Sequence, residues 1–285
     1  MKIEEFTELT MEVSDGVATV TFNRPEIRNA WGGRSAVEWR WALHYADTDP
    51  DVRVVVLTGA GDHFCVGADS RRLDSITNSG GDYTKTDLSP PPWPDSAPEE
   101  MRKNHVAPLL VSTPVIAAVT GICAGVGFLL ASYADLRFVA SDARITTSFA
   151  KLGLPAEYGL AWLLPRLVGV PNALDMLYSS AVYDGADVLR LGWAQRSLPA
   201  GEVLAAATEY ARNLARHSSG ESLRVMKRQV MIDAAGPLGA AYLASVDDMN
   251  AALRHPDIKE GLAALRERRP TNFLRATGSG DQQAG

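Results

Sequence analysis

The sequence predicts an α/β fold built around a core sheet, and three observations carry that prediction. "VRVVVLTGAG" (52–61) is a β-branched run ending in glycines, the pattern of a strand buried on both faces. "VIAAVTG" (115–121) repeats it and leads into the glycine-rich "ICAGVGFLLASYADL" (122–136). Around these lie stretches with apolar residues at helical spacing, giving a strand–strand–helix rhythm with long returns.

Taken in order, "VATVTFNRP" (17–25) alternates its apolar positions and stops at Asn-Arg-Pro, a strand running into a turn. "RSAVEWRWALHYADTDP" (34–50) has helical spacing and ends at a turn-forming Asp-Thr-Asp-Pro. A second helix is predicted over about 98–112 and a further strand over "RFVASDARIT" (137–146). The stretch 75–100, rich in Pro, Gly, Ser and Asp, is too long for an ordinary connection and reads as a lid or a disordered loop. From about residue 185 the apolar positions are helical almost throughout. The expected organisation is therefore a core over 1–194, a helical region over 195–270 and a disordered tail over 271–285, with no internal repeat.

Composition excludes several functions. The net charge of −6 lacks the basic excess of a nucleic-acid binder. No apolar run reaches the length of a membrane span, and the charged N-terminus does not read as a signal peptide. Two cysteines, Cys65 and Cys123, make no disulfide framework. The expectation is a cytoplasmic enzyme.

Two glycine-rich loops follow strands. In "GAGDHFCVGADSRRL" (59–73), Gly59 and Gly61 supply a G-x-G, but Phe64 stands where a dinucleotide-binding fingerprint has its third glycine. No phosphate-binding P-loop, nucleophile elbow or zinc-protease motif occurs, and the five histidines lack metal-ligand spacing. The second loop, "GICAGVGFLL" (121–130), opens an apolar helix. Its free N–H groups suit a developing negative charge, and its glycines allow close approach of a ligand or, equally, tight strand–helix packing.

Four blocks, "NRPEIRNA" (23–30), "GAGDHFCVGADSRRL", "TPVIAAVTGICAGVGFLLASYADLRFVA" (113–140) and "GLPAEYGLAWLLPRLVG" (153–169), together resemble the enoyl-CoA hydratase/isomerase (crotonase) family. They stand in the family's order and at about its spacing over most of residues 5–265. The resemblance implies a crotonase-like spiral of repeated strand–strand–helix units with a C-terminal helical trimerisation region. It implies acyl-CoA thioester substrates, no cofactor beyond the coenzyme A of the substrate itself, and assembly as a homotrimer or a pair of trimers. It also implies an oxyanion hole made by the backbone amides of Ala68 in "CVGAD" and Val126 in "AGVG", with Gly67, Asp69 and Gly125 beside them at the substrate. Such fixed donors contribute on the order of 3 kcal/mol each to lowering a barrier. Val126, where relatives often carry glycine, keeps the amide and narrows the pocket.

The two glutamates of the family's hydratases fall at Leu129 and Phe149, both apolar here. Glu157, in "GLPAE", matches instead the single acid of the family's isomerases. A carboxylate in an apolar pocket has a raised pKa and suits a proton shuttle. Its structural alternatives are a helix cap or an ion pair with Arg166. Arg28 and Arg71 fall where relatives contact the nucleotide, with Arg24 and Arg72 as helpers. Trp31 and Trp93 either shape the acyl pocket or pack as core and lid. Cys65 and Cys123 read as small buried thiols. The expected function is enoyl-CoA isomerisation through a thioester enolate. The rivals are a hydratase with an atypical site, a β-dicarbonyl C–C hydrolase, and a degraded, CoA-binding subunit.

Overall fold

The structure, a computed structural model, describes residues 1–69, 86–94, 97–233 and 236–273. β1 (Leu9–Ser14) and β2 (Val17–Phe22) pair antiparallel through Asp15 and Gly16, at φ 53° and 79°. Asp-Gly is the preferred pair for a turn of this hand, which matches the twist of the strands it joins. β1 was not anticipated from the sequence. Beyond the hairpin every neighbouring pair is parallel, so each connection has to cross over a face of the sheet. α1 (Gly33–Thr48) makes the first crossover, leading to β3 (Val54–Gly59), whose Val54, Val55, Val56 and Leu57 are fully buried.

The helix expected over 98–112 is broken into single 3-10 turns at Glu99–Met101 and Asn104–Val106 and a short α2 (Ala107–Leu110). Pro108 explains the start of α2: its missing N–H is harmless in a first turn and would break a longer helix. Next come β4 (Val115–Val119), β5 (Ile122–Ala124), α3 (Val126–Tyr133), β6 (Leu136–Ala140) and β7 (Arg144–Thr146). The single strand expected over 137–146 is thus two. β6 joins the main sheet, and β7 pairs in parallel with β5 in a separate two-stranded sheet.

After α4 (Leu160–Val168), α5 (Val170–Ser179) and α6 (Gly185–Arg190), β8 (Arg196–Leu198) adds to the edge beside β6. The main sheet then reads β1-β2-β3-β4-β6-β8. α7 (Val203–His217) lies across β2, β3, β4 and β6. It buries Val203, Ala207, Ala211 and Ala215, four residues apart, and these small side chains let the helix sit close to the strands. The sheet and its cover therefore run through residue 217, inside the stretch read as helical almost throughout. α8 (Gly220–Met231), α9 (Leu238–Ala252) and α10 (Asp257–Glu267) follow, and α9 buries no side chain. Leu238 and Leu265 are 84% and 75% exposed.

Part of the proline-rich stretch docks on α1. Trp41 Nε1 donates to Ser89 O at 3.0 Å, and Arg40 donates to Pro91 O at 3.0 Å. The Arg40 guanidinium lies 3.1 Å from the centroid of the Trp93 ring. Residues 75–85 and 95–96 of that stretch, and 274–285 of the tail, lie outside the described residues.

Candidate active site

The first glycine loop leaves β3 and is held by a residue the sequence reading passed over. Asn29, buried at φ 58°, donates through its amide to Ala60 O at 2.9 Å and His63 O at 2.7 Å, while its oxygen accepts from Arg24 N at 2.9 Å. The block "NRPEIRNA" thus brackets the loop, and the Arg28 carbonyl adds a bond from Val66 N at 3.2 Å. Residues 65–69 then run between Trp31 and β5. Trp31 N donates to Gly67 O at 2.8 Å and Asp69 N to Trp31 O at 3.0 Å. On the other side, Cys65 N donates to Ile122 O at 3.1 Å and Ala124 N to Cys65 O at 3.0 Å. β5 runs directly into α3, so this pairing sets the first loop beside the start of that helix.

The result is two unused donors side by side. Neither Ala68 N–H nor Val126 N–H donates to any described residue. Val126 opens α3 and has no carbonyl a turn earlier to bond. The loops abut closely: a Cβ built on Gly67 would stand 3.9 Å from Gly125 Cα. Gly127 is required for this approach, since its Cβ would fall 2.2 Å from Cys65 O.

A cavity of about 390 Å³ is lined by both donor residues, with Val66, Phe149, Leu152 and Leu154 among its apolar walls. Glu157 is the only carboxylate among the described residues lining it. Its carboxyl is half-buried, and desolvation raises its pKa above the ordinary carboxylate range. The carboxyl forms no hydrogen bond or ion pair with a described residue, although the Glu157 carbonyl accepts from Leu160 N at 2.9 Å. The alternatives weighed for it are absent: α4 is preceded by Gly159 with no side-chain cap, and Arg166 bonds Trp162 O and lies over the Trp162 ring. Leu129 and Phe149 are buried apolar residues, at 0% and 3% exposure.

The remaining predicted residues divide. Arg28 is exposed, and its guanidinium meets no described acid. Arg71 and Arg72 lie outside the described residues. Asp69 is buried and pairs with Arg24 at 3.4 Å, while Arg24 also meets Glu8 at 3.3 Å. That pair ties the second half of the first loop to Arg24, whose guanidinium also donates to Ala30 O at 3.1 Å and is therefore already engaged. Trp31 is core, edge-on to Phe22, and Trp93 packs on Arg40, so neither lines the cavity. Burial pushes the Cys65 thiol up to about 12 and Cys123 well above its ordinary value, as befits inert core thiols. Among the described residues no cluster of His, Cys, Asp or Glu has the makings of a metal site.

Arg137 also escaped the sequence reading. Buried at 2% exposure, it donates to Ala134 O at 2.6 Å and to Ala131 O and Ser132 O at 3.4 Å, capping the C-terminus of α3 with a cation. Only its position after "ASYADL" hinted at this.

Comparison with known proteins agrees with this geometry. The family model for enoyl-CoA hydratase/isomerase matches residues 12–276, and the chain belongs to that family. A probable enoyl-CoA hydratase of Rhodobacter capsulatus is 30% identical over 92% of this chain and 96% of its own length. Among solved structures, a probable enoyl-CoA hydratase/isomerase from Mycobacterium abscessus superposes with a TM-score of 0.82 at 31% identity, covering 94% of this chain and 99% of that one. An enoyl-CoA hydratase from Polaromonas sp. JS666 gives 0.82 at 26% identity, covering 93% and 98%. The fold is therefore the crotonase fold, and the chain is an acyl-CoA enzyme of this family.

Proposed function

We propose that this protein is an enoyl-CoA isomerase that moves a double bond by a single-carboxylate proton shuttle. The thioester carbonyl accepts hydrogen bonds from the amides of Ala68 and Val126. Glu157 takes a proton from the α-carbon of a 3-enoyl thioester, and the electron pair delocalises onto the carbonyl oxygen as a dienolate. The same carboxyl returns the proton to the γ-carbon, leaving the double bond between the α- and β-carbons. Fixed amide dipoles stabilise the charge where it develops, and a raised carboxyl pKa brings base and acid forms closer in energy. The observation that carries the reading is one carboxylate, without a side-chain partner among the described residues, in a largely apolar cavity. It shares that cavity with two free amides and with Ser148 and Lys151, the Lys151 Nζ donating to Ser180 O at 2.8 Å.

A hydratase is the second reading, favoured by the names of the relatives. Against it stand Leu129 and Phe149 at the positions of the hydratase acids, since adding water across a double bond needs one group to activate the water and another to protonate carbon. The test is exchange of α and γ protons with deuterated water, in the parent and in Glu157→Gln, alongside turnover of 3-enoyl- and 2-enoyl-CoA. The Gln variant should lose exchange by roughly two orders of magnitude or more. Undiminished exchange in the variant rejects Glu157 as the base. Hydration of 2-enoyl-CoA without isomerisation favours the second reading.

A further inference from the structure

Glu157 stands on a turn that ought to be loose. The next two residues, Tyr158 and Gly159, both have positive φ, 49° and 81°. For a bulky residue such as Tyr158 that conformation is strained and persists only when its surroundings hold it. Two contacts do so. The Tyr158 ring stacks on buried His105, with centroids 3.9 Å apart and planes at 20°. The Tyr158 carbonyl accepts from the Tyr133 hydroxyl at 2.6 Å. Gly159 completes the fit, because a Cβ there would stand 2.7 Å from Tyr133 Oη.

Tyr133 is the last residue of α3, whose first residue is Val126. One rigid helix, about 10 Å between those residues at 1.5 Å per residue, thus carries an oxyanion donor at one end and the pin for the acid's turn at the other. Its far end is fixed in turn by the Arg137 cap and by Trp193 Nε1 donating to Ser132 Oγ at 2.9 Å. Burial pushes the Tyr133 hydroxyl up to about 12, so it remains a donor throughout the working range.

We infer that Tyr133 is a positioning residue, whose hydrogen bond to the Tyr158 carbonyl fixes the Glu157 carboxylate relative to the amides of Ala68 and Val126. The inference rests on Glu157 being the base. Enzymes lose about a hundredfold when a reacting group is misplaced by about 1 Å, so a single hydrogen bond can control rate without touching the substrate.

The test uses the full-length protein and isotope exchange with a 3-enoyl-CoA. Tyr133→Phe keeps the ring in the core and removes only the hydroxyl. Exchange should fall about ten- to a hundredfold, while KM and the affinity for a non-reactive acyl-CoA analogue stay at the parent values. Gly159→Ala, which crowds the same contact from the turn side, should give the same split. Combined with Glu157→Gln, Tyr133→Phe should cost nothing further, because there is no base left to position. Parent-like exchange in Tyr133→Phe overturns the inference. So does an equal loss in the Glu157→Gln background, or a matching loss of analogue affinity, since either marks a general structural role. If Glu157→Gln alone exchanges like the parent, the assignment of the base has failed, an outcome distinct from a failure of Tyr133.

Discussion

Replacing Gly127 by Ala tests whether the two loops form one oxyanion hole. The added Cβ would stand 2.2 Å from Cys65 O, 2.9 Å from Cys65 Cβ and 3.0 Å from Cys65 C, against ordinary contacts of at least 3.4 Å. The start of α3 and the first loop have to part by about 1 Å, because the nearest atom is a backbone oxygen, which cannot swing aside. Overpacking of this kind costs about 1–3 kcal/mol of stability, and roughly 1 kcal/mol is regained because Ala is a better helix residue than Gly. The net cost is small enough for the protein to stay folded. Catalysis is more sensitive, because the displacement separates the amide of Val126 from that of Ala68. A loss of about a hundredfold in kcat/KM for isomerisation is expected. The assay is turnover of 3-enoyl-CoA with calorimetry on the same preparation. A variant that folds with the parent's melting temperature and retains its kcat/KM refutes the idea that these loops are tightly coupled around the reacting carbonyl.

Other consequences follow from charge and exposed surface. Because desolvation raises the Glu157 pKa and a base has to be ionised, isomerase activity should fall as pH drops through a value above the ordinary carboxylate range; a kcat/KM profile with its acid limb at the ordinary value contradicts this. The same shift has a stability consequence: a folded-state pKa above the unfolded one means stability is lost as pH rises through the folded value, so Glu157→Gln should melt higher than the parent near neutral pH, with the gap closing below the carboxylate range in paired calorimetric scans. Replacing Arg28 and Arg71 together by Ala should weaken CoA binding at low salt, and added salt should shrink the difference, as a titration calorimeter would read. Sedimentation at micromolar concentration should give a trimer or a pair of trimers, because Leu238, Tyr242, Leu243, Met249 and Leu265 are exposed at 61–84% on α9 and α10, uncovered by the described residues; a monomer rejects this.

Much of the frame was legible because it is written in local patterns. The buried strands at 54–59 and 115–119 announce themselves as β-branched runs, and α1 and the amphipathic α7 by helical spacing. What escaped were elements defined by long-range pairing. β5 has only three residues, and its identity as a strand depends on β7 and on the backbone of Cys65, which pairs in parallel with that of Cys123 from far upstream in the sequence. At the site, the positions of Ala68, Val126 and Glu157 came from motif register, and the structure brings all three to one cavity. The ion pair of Asp69 was not legible, because its partner Arg24 lies 45 residues away in sequence. Tyr133 was invisible for a similar reason: a tyrosine in an apolar helix reads as core until its hydroxyl is seen against the Tyr158 carbonyl.

The state of Glu157 itself weighs between an enzyme and a subunit that has lost its chemistry. A half-buried carboxylate with a raised pKa and no partner among the described residues costs stability whenever it is ionised, and a glutamine would fill the same space without that cost. Nothing in the packing asks for the charge: the turn is held by Tyr133 and His105 through Tyr158, and α4 starts without a side-chain cap. A strained Tyr158 beside it adds to the burden. Two amides that meet no acceptor among the described residues, in a largely apolar cavity, are of no use to folding either. Unpaired donors, an unpaired acceptor and local strain, gathered in one cavity and supported by a well-bonded frame, are what a proton-transfer site requires and what a mere binding scaffold would shed. On that ground the catalytic reading stands ahead of the degraded one, and proton exchange in the parent enzyme is the measurement that decides it: a protein that exchanges no α or γ proton from any enoyl-CoA offered would reverse the order.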